Sequence, residues 1–136
     1  MTLTWDDRLE IRELVARYDH AIDSGDAEAW AATFADDGSW DGGIRVEGRE
    51  ALLEFARGLP ENPAFAAFRP SYHFTANFVI DETAPGEARL VCDNLMLQPR
   101  QGGVAALVAA GYDDRLRRVD GRWLFVSRRW RPVRPS

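Results

Sequence analysis

The stretch Val104–Arg118 is apolar on both of its faces at its start: Val104, Ala106, Val108 and Ala110 alternate with Ala105, Leu107 and Ala109. A strand with one wet face alternates apolar with polar residues, so this one needs cover on both sides. Helices supply one cover and a second subunit is expected to supply the other. The side chains here are small. On a curved sheet small side chains leave volume, and that volume can become a cavity.

The neighbouring segments fit the same sheet. Ser71–Asp81 alternates, with Tyr72, Phe74, Ala76, Phe78 and Ile80 on one face and His73, Thr75, Asn77 and Val79 on the other. Glu87–Gln98 and Arg122–Trp130 read as further long strands, and Asp120-Gly121 is a hairpin signal before the last. Before them the period changes. Ile11, Leu14, Val15, Tyr18 and Ile22 form one face of a helix over 6–23, capped by Asp6 or Asp7 and followed by Gly25. A short helix is expected over Asp26–Phe34, a turn at Asp36-Asp37-Gly38, and short strands near Ser39–Asp41 and Ile44–Glu47. A third helix is expected over Arg49–Arg57 with Leu52, Phe55 and Ala56 inward, and a proline-broken loop over Pro60–Pro70. Helices followed by a four-stranded meander predict an α+β fold with helices on one side of an antiparallel sheet. The 136 residues suit one domain, 1–136.

Composition removes several function classes. A lone cysteine, Cys92, excludes an intramolecular disulfide and a thiolate cluster, and reads as a small buried hydrophobe. Two histidines, His20 and His73, are too few for a zinc site unless carboxylates help, so no metal is expected. The net charge of −5 lacks the basic excess of nucleic-acid binders, although Arg128, Arg129, Arg131 and Arg134 cluster near the end. No apolar run approaches a membrane span, and Met1–Asp7 is polar and acidic, which points to the cytoplasm.

Polar side chains threaded through apolar elements mark the candidate site: Tyr18 and Asp23 on the first helix, His73 and Asn77 on one strand, Asp93 and Asn94 on the next, Arg128 on the last. An imidazole can accept a proton near neutral pH, and a carboxylate on its other nitrogen would fix the tautomer. His73 and Asp23 could play these parts. Equally, His73 could be a strand histidine satisfied by a carbonyl, with Asp23 solvated. Tyr18 could donate to a carbonyl or leaving group, or simply pack. Alternation puts one of Asp93 and Asn94 inward without saying which. Arg128 could hold an anionic group or lie on the surface. Trp40 and Phe55, with Trp30, are candidate pocket walls.

Tyr18-Asp-His-Ala-Ile-Asp23-Ser-Gly-Asp26, Trp30, Phe34 and Ala35-Asp-Asp-Gly38 resemble the opening of SnoaL-like proteins of the NTF2-like superfamily. Val46-Glu-Gly-Arg-Glu50, Tyr72-His73-Phe-Thr-Ala-Asn77 and Asp120-Gly-Arg-Trp123 continue the pattern. The resemblance covers nearly the whole chain and implies a cone-shaped α+β barrel. Asp23 and His73 match the dyad of scytalone dehydratase and hexachlorocyclohexane dehydrochlorinase. Arg128 falls where the dehydrochlorinase has an arginine, and Tyr18 and Asp93 fall at functional positions of the bile-acid dehydratase. The second histidine and the asparagine of scytalone dehydratase are not matched, since Leu107 and Tyr112 fall near those places. The resemblance implies a cofactor-independent lyase or isomerase acting on a small apolar, aromatic or polycyclic substrate, as a homodimer or homotrimer. It leaves open a non-catalytic ligand-binding or structural subunit and a polyketide-cyclase-like enzyme using an aspartate.

Overall fold

The computed structural model describes residues 2–132. Helix α1 spans Trp5–Ser24 and opens on a capping box. The Thr4 side chain accepts from the Asp7 backbone N–H at 3.0 Å, and the Asp7 carboxylate accepts from the Thr4 N–H at 2.9 Å. The cap is therefore Thr4, with Asp7 as its reciprocal partner. Gly25 ends the helix in the left-handed conformation, φ +77°. Helix α2 covers only Ala27–Ala31, capped by Asp26. Phe34, expected at the end of this helix, instead opens strand β1, Phe34–Asp41.

After β2 (Arg45–Glu47) and α3 (Arg49–Gly58), two 3₁₀ turns, Leu59–Glu61 and Pro63–Phe68, lead to the long strands. These are β3 (Tyr72–Ala84), β4 (Glu87–Arg100), β5 (Gly103–Val119) and β6 (Arg122–Pro132). The six strands lie in the order β2-β1-β6-β5-β4-β3. The expected antiparallel sheet is in fact mixed, because β1 runs parallel to β6. The curved sheet is not closed, so the barrel is an open one with β2 and β3 at its edges. Asp36-Asp37-Gly38 does not turn the chain; it is the irregular part of β1, where the register against β6 shifts. Gly38 is needed there because a Cβ would lie 2.9 Å from the Ala35 carbonyl oxygen and 3.0 Å from that of Phe125.

The core lies between the helices and one face of the sheet. Ile11, Leu14, Val15 and Tyr18 of α1 meet Trp30, Phe34, Leu52, Leu90, Leu116 and Phe125. Burying each large apolar side chain is worth roughly 1.5–3 kcal/mol. The opposite face stays open within this chain: Tyr72, Phe74, Val79, Leu95 and Val104 are exposed. The two-sided cover expected for β5 is thus supplied on one side only. Among the described residues no helix is long and apolar enough to cross a membrane. Arg134 of the arginine-rich tail lies outside the described residues.

Strand β3 departs from a single alternation. Its pairing with β4 shifts between Ala76 and Val79, and Asn77 adopts a left-handed φ of +58°. This bulge reverses which residues face the helices. Before it His73 and Thr75 point inward and Tyr72 and Phe74 outward; after it Phe78 and Ile80 point inward. The reading that placed Tyr72, Phe74, Phe78 and Ile80 on one face is corrected by this one residue.

Candidate functional site

Helix α1 crosses β3 so that two carboxylates meet two strand residues. Four residues along a helix advance about 6 Å and two along a strand about 6.6 Å. The step from Asp19 to Asp23 therefore matches the step from Thr75 to His73. Asp23 Oδ1 lies 2.6 Å from His73 Nδ1, and Asp23 Oδ2 accepts the His73 backbone N–H at 2.9 Å. One turn back, Asp19 Oδ2 accepts the Thr75 hydroxyl at 2.7 Å. The side chains of His73 and Asp23 are 11% and 13% exposed, so the pair sits at the rim of the core rather than deep within it. His73 Nε2 makes no hydrogen bond among the described residues, which leaves it available to a ligand.

The polar row continues into β4 and β5. Asn94 pairs across with Thr75 and its amide donates to the Thr75 hydroxyl at 3.1 Å. Asn94 is buried and faces the helices, whereas Asp93 is exposed on the far face and accepts from the Asn77 amide at 2.8 Å. The ambiguity between these two is thereby resolved, and Asp93 is removed from the interior. Two acceptors in this row, Asp19 Oδ1 and Asn94 Oδ1, are buried without a partner. Burial raises the Asp19 carboxyl above its ordinary range, against the pull of Arg128 and the Thr75 hydrogen bond.

Arg128 is fully buried, not part of a solvated face. Its guanidinium lies 3.8 Å over the Tyr112 ring, 4.2 Å over Tyr18 and 4.8 Å over Phe125, a cage of cation–π contacts. Asp114, equally buried and directly across from it on β5, is its counter-charge, with Nε 3.3 Å from Oδ1. The contact is an ion pair without hydrogen-bond alignment, since both Asp114 oxygens and Arg128 Nε and Nη1 lack hydrogen-bond partners. Arg128 Nη2 reaches the Cys92 sulfur at 3.7 Å. Desolvation works against the charge of Arg128, yet the facing Asp114 and the surrounding phenols hold its pKa above the usual value. Burial also pushes the Cys92 thiol up to about 12, so it stays a neutral thiol.

Tyr18 is a core residue whose ring touches Trp30, Phe34, Tyr112 and Phe125. Trp40 stacks on Phe55 at 5.1 Å and on Phe65 at 6.5 Å, and its buried indole N–H has no acceptor. These rings form the aromatic side of the interior. Two clefts open elsewhere. One of about 430 Å³ runs between α1, α2 and the β5–β6 hairpin and includes His20; another of about 210 Å³ lies on the far face between Asp41, Asp113 and Arg129. Neither includes Asp23 or His73. Among the described residues no three His, Cys, Asp or Glu side chains converge as metal ligands.

The sequence residues that the structure adds to the site are Asp19, Thr75 and Asp114. Each carried a signal: Asp19 stands four residues before Asp23, Thr75 two after His73, and Asp114 breaks the apolar row Ala110, Tyr112, Leu116.

Residues 4–129 match the SnoaL-like domain family. Among solved structures, a Mycobacterium tuberculosis protein of unknown function is 31% identical, with a TM-score of 0.82 over 96% of this chain and 74% of that one. An NTF2-like protein with a cystatin-like fold from Novosphingobium aromaticivorans is 28% identical, with a TM-score of 0.81 over 96% of this chain and 84% of that one. A Catenulispora acidiphila structure in complex with S-DNPA is 29% identical, with a TM-score of 0.76 over 90% of each chain. No curated protein matches the sequence. The match along nearly the whole chain and the shared fold have one reading: the chain belongs to the SnoaL-like domain family, with an NTF2-like fold.

Proposed function

We propose that this chain is a cofactor-independent lyase or isomerase in which His73 removes a proton from a substrate carbon next to a carbonyl. The observation that carries the reading is the 2.6 Å contact between His73 Nδ1 and Asp23 Oδ1, with His73 Nε2 left free. Asp23 holds the ring through Nδ1 and the strand through the His73 backbone N–H, so the base is fixed in tautomer and direction. As the imidazolium forms, the carboxylate stabilises it. The aromatic side formed by Trp40, Phe55 and Phe65 suits an apolar or aromatic substrate. Arg128, whose Nη1 is free, offers a cation for charge developing on oxygen. The Catenulispora structure of the same fold, solved in complex with S-DNPA, supports a ligand site here. The site belongs to the chain's own residues, and the partner in view is a small organic molecule rather than nucleic acid or membrane.

A carbon-acid assay tests the reading. Aryl ketones in deuterated buffer should exchange their α-hydrogens in the presence of the protein, followed by NMR. His73→Ala should lower the rate by about 10²–10⁴-fold, the usual worth of a positioned base. Asp23→Asn should lower it less, since the base remains but its orientation is lost. Exchange unaffected by His73→Ala would sink the proposal. A larger loss in Asp23→Asn than in His73→Ala would favour the cyclase-like reading, in which the aspartate is the acid or base.

A further inference from the structure

We infer that Asp19 is a second catalytic residue, the acid that protonates the oxygen leaving the substrate while His73 takes the carbon-bound proton. The inference deepens the proposed function and rests on it. It assigns the substrate class as β-hydroxy carbonyl compounds, whose hydroxyl departs as water only when it is protonated.

The argument starts from hydrogen-bond direction. Asn94 donates its amide to the Thr75 oxygen, so the Thr75 hydroxyl hydrogen is free to point to Asp19 Oδ2. Oδ2 is thereby an acceptor, and a proton bound by this carboxyl belongs on Oδ1. Oδ1 is buried with no partner, on a residue that is itself 8% exposed. A protonated Oδ1 would be a buried donor without a protein acceptor, so its proton is available to a bound group. Asp19 stands one helical turn from Asp23 and beside Thr75, two residues from His73 on β3, so the two carboxyls and the imidazole lie along one helix–strand seam.

The groups facing Asp19 are Arg128 from β6, His73 from β3, Tyr18 and Asp23 on α1, and Tyr112 and Cys92 from β5 and β4. Arg128 and a protonated His73 favour the carboxylate; burial and Asp23 oppose it, and burial is the largest influence. In the step, His73 Nε2 takes the α-hydrogen as a proton. The C–H pair becomes the new C=C bond, and the C–O bond breaks with its pair on oxygen. Asp19 Oδ1–H delivers the proton that completes water. The proton on His73 then returns to Asp19 through solvent, which restores both groups.

Two probes and one variant test this. The first probe is the β-hydroxyketone formed from benzaldehyde and acetone, which must lose hydroxide. The second is a β-(para-nitrophenoxy)ketone, whose leaving group departs without help. His73→Ala should lower elimination from both. Asp19→Asn should lower water loss by about 10²–10⁴-fold and nitrophenolate loss far less. Equal losses on the two probes would overturn the acid role. Stability gives a readout that needs no turnover. A buried carboxyl favoured in its neutral form costs stability as pH rises through its folded value, so Asp19→Asn, which keeps the Thr75 bond but places an unpaired amide N–H at the Oδ1 position, should gain melting temperature relative to the wild type as pH rises. A difference that moves the other way with pH would make Asp19 an ionised structural partner and overturn the inference. If the wild type acts on neither probe but exchanges ketone α-hydrogens, the substrate class and the acid role of Asp19 are overturned while His73 stands as the base; if exchange is absent too, the base assignment falls with them.

Discussion

Arg128 and Asp114 are the two fully buried charges of the core, and each is the other's counter-ion. Removing one leaves the other in a site without water. Arg128→Met should therefore destabilise the fold by about 3–5 kcal/mol, while the double variant Arg128→Met with Asp114→Leu should recover most of that loss. Urea denaturation of the two singles and the double checks it; additive losses would show that the pair is not coupled. Because burial favours a neutral Asp114, the Arg128→Met penalty should also shrink as pH falls. At this scale the sequence was partly legible. Asp23 and His73 stand out because both match a family dyad, and the structure brings them into contact. Arg128 was left between site and surface because Arg129 and Arg131 flank it, and alternation alone cannot say which of three near neighbours turns inward. Asp114 was missed because its partner is fourteen residues away across a hairpin, and only the strand register places the two opposite each other.

Elements whose signals are local could be read, and elements defined by pairing could not. Gly25 after α1, Asp26 before α2 and Asp120-Gly121 between β5 and β6 all do what their chemistry predicts. Strand β1 was hidden because Asp36-Asp37-Gly38 has turn composition, yet the segment is held by β6 and by Gly38's close approach to the Phe125 carbonyl. The bulge in β3 was hidden because nothing in Ser71–Asp81 breaks the alternation of hydrophobicity. Its only mark is Asn77, a residue that tolerates the left-handed region. The bulge is what turns His73 and Thr75 toward α1. Asn77→Gly should keep the fold intact, while Asn77→Val should cost about 1–2 kcal/mol or more, because a β-branched side chain fits that φ poorly. Chemical denaturation orders the two variants. A valine variant as stable as wild type would mean that the strand can shed the bulge, and His73 would then turn away from Asp23.

On the scale of the molecule, the two-faced apolar pattern of β5 has been answered on one side only. The uncovered side is continuous across three strands, because register pairs Phe74 with Leu95 and Leu95 with Ala109, and Tyr72 with Leu97 and Leu97 with Ala106. Tyr72, Phe74, Val79, Leu95 and Val104 are 44–65% exposed there. Small alanines in the middle let another flat surface approach closely, and the charged pairs Arg89–Asp113 and Arg129–Asp113 lie toward the β6 side of the same face. An apolar centre bordered by paired charges is the anatomy of a protein interface. The occupant expected is a second copy of this chain, since a patch with an apolar centre can meet itself across a two-fold axis. Light scattering after size exclusion should then give a mass about twice the 15.3 kDa of the chain. Phe74→Arg together with Leu95→Arg should halve that mass and leave the Asp23–His73 contact on the opposite face undisturbed. A wild type that runs as a monomer at micromolar concentration would remove the dimer, and a mass near three chains would replace it by the trimer.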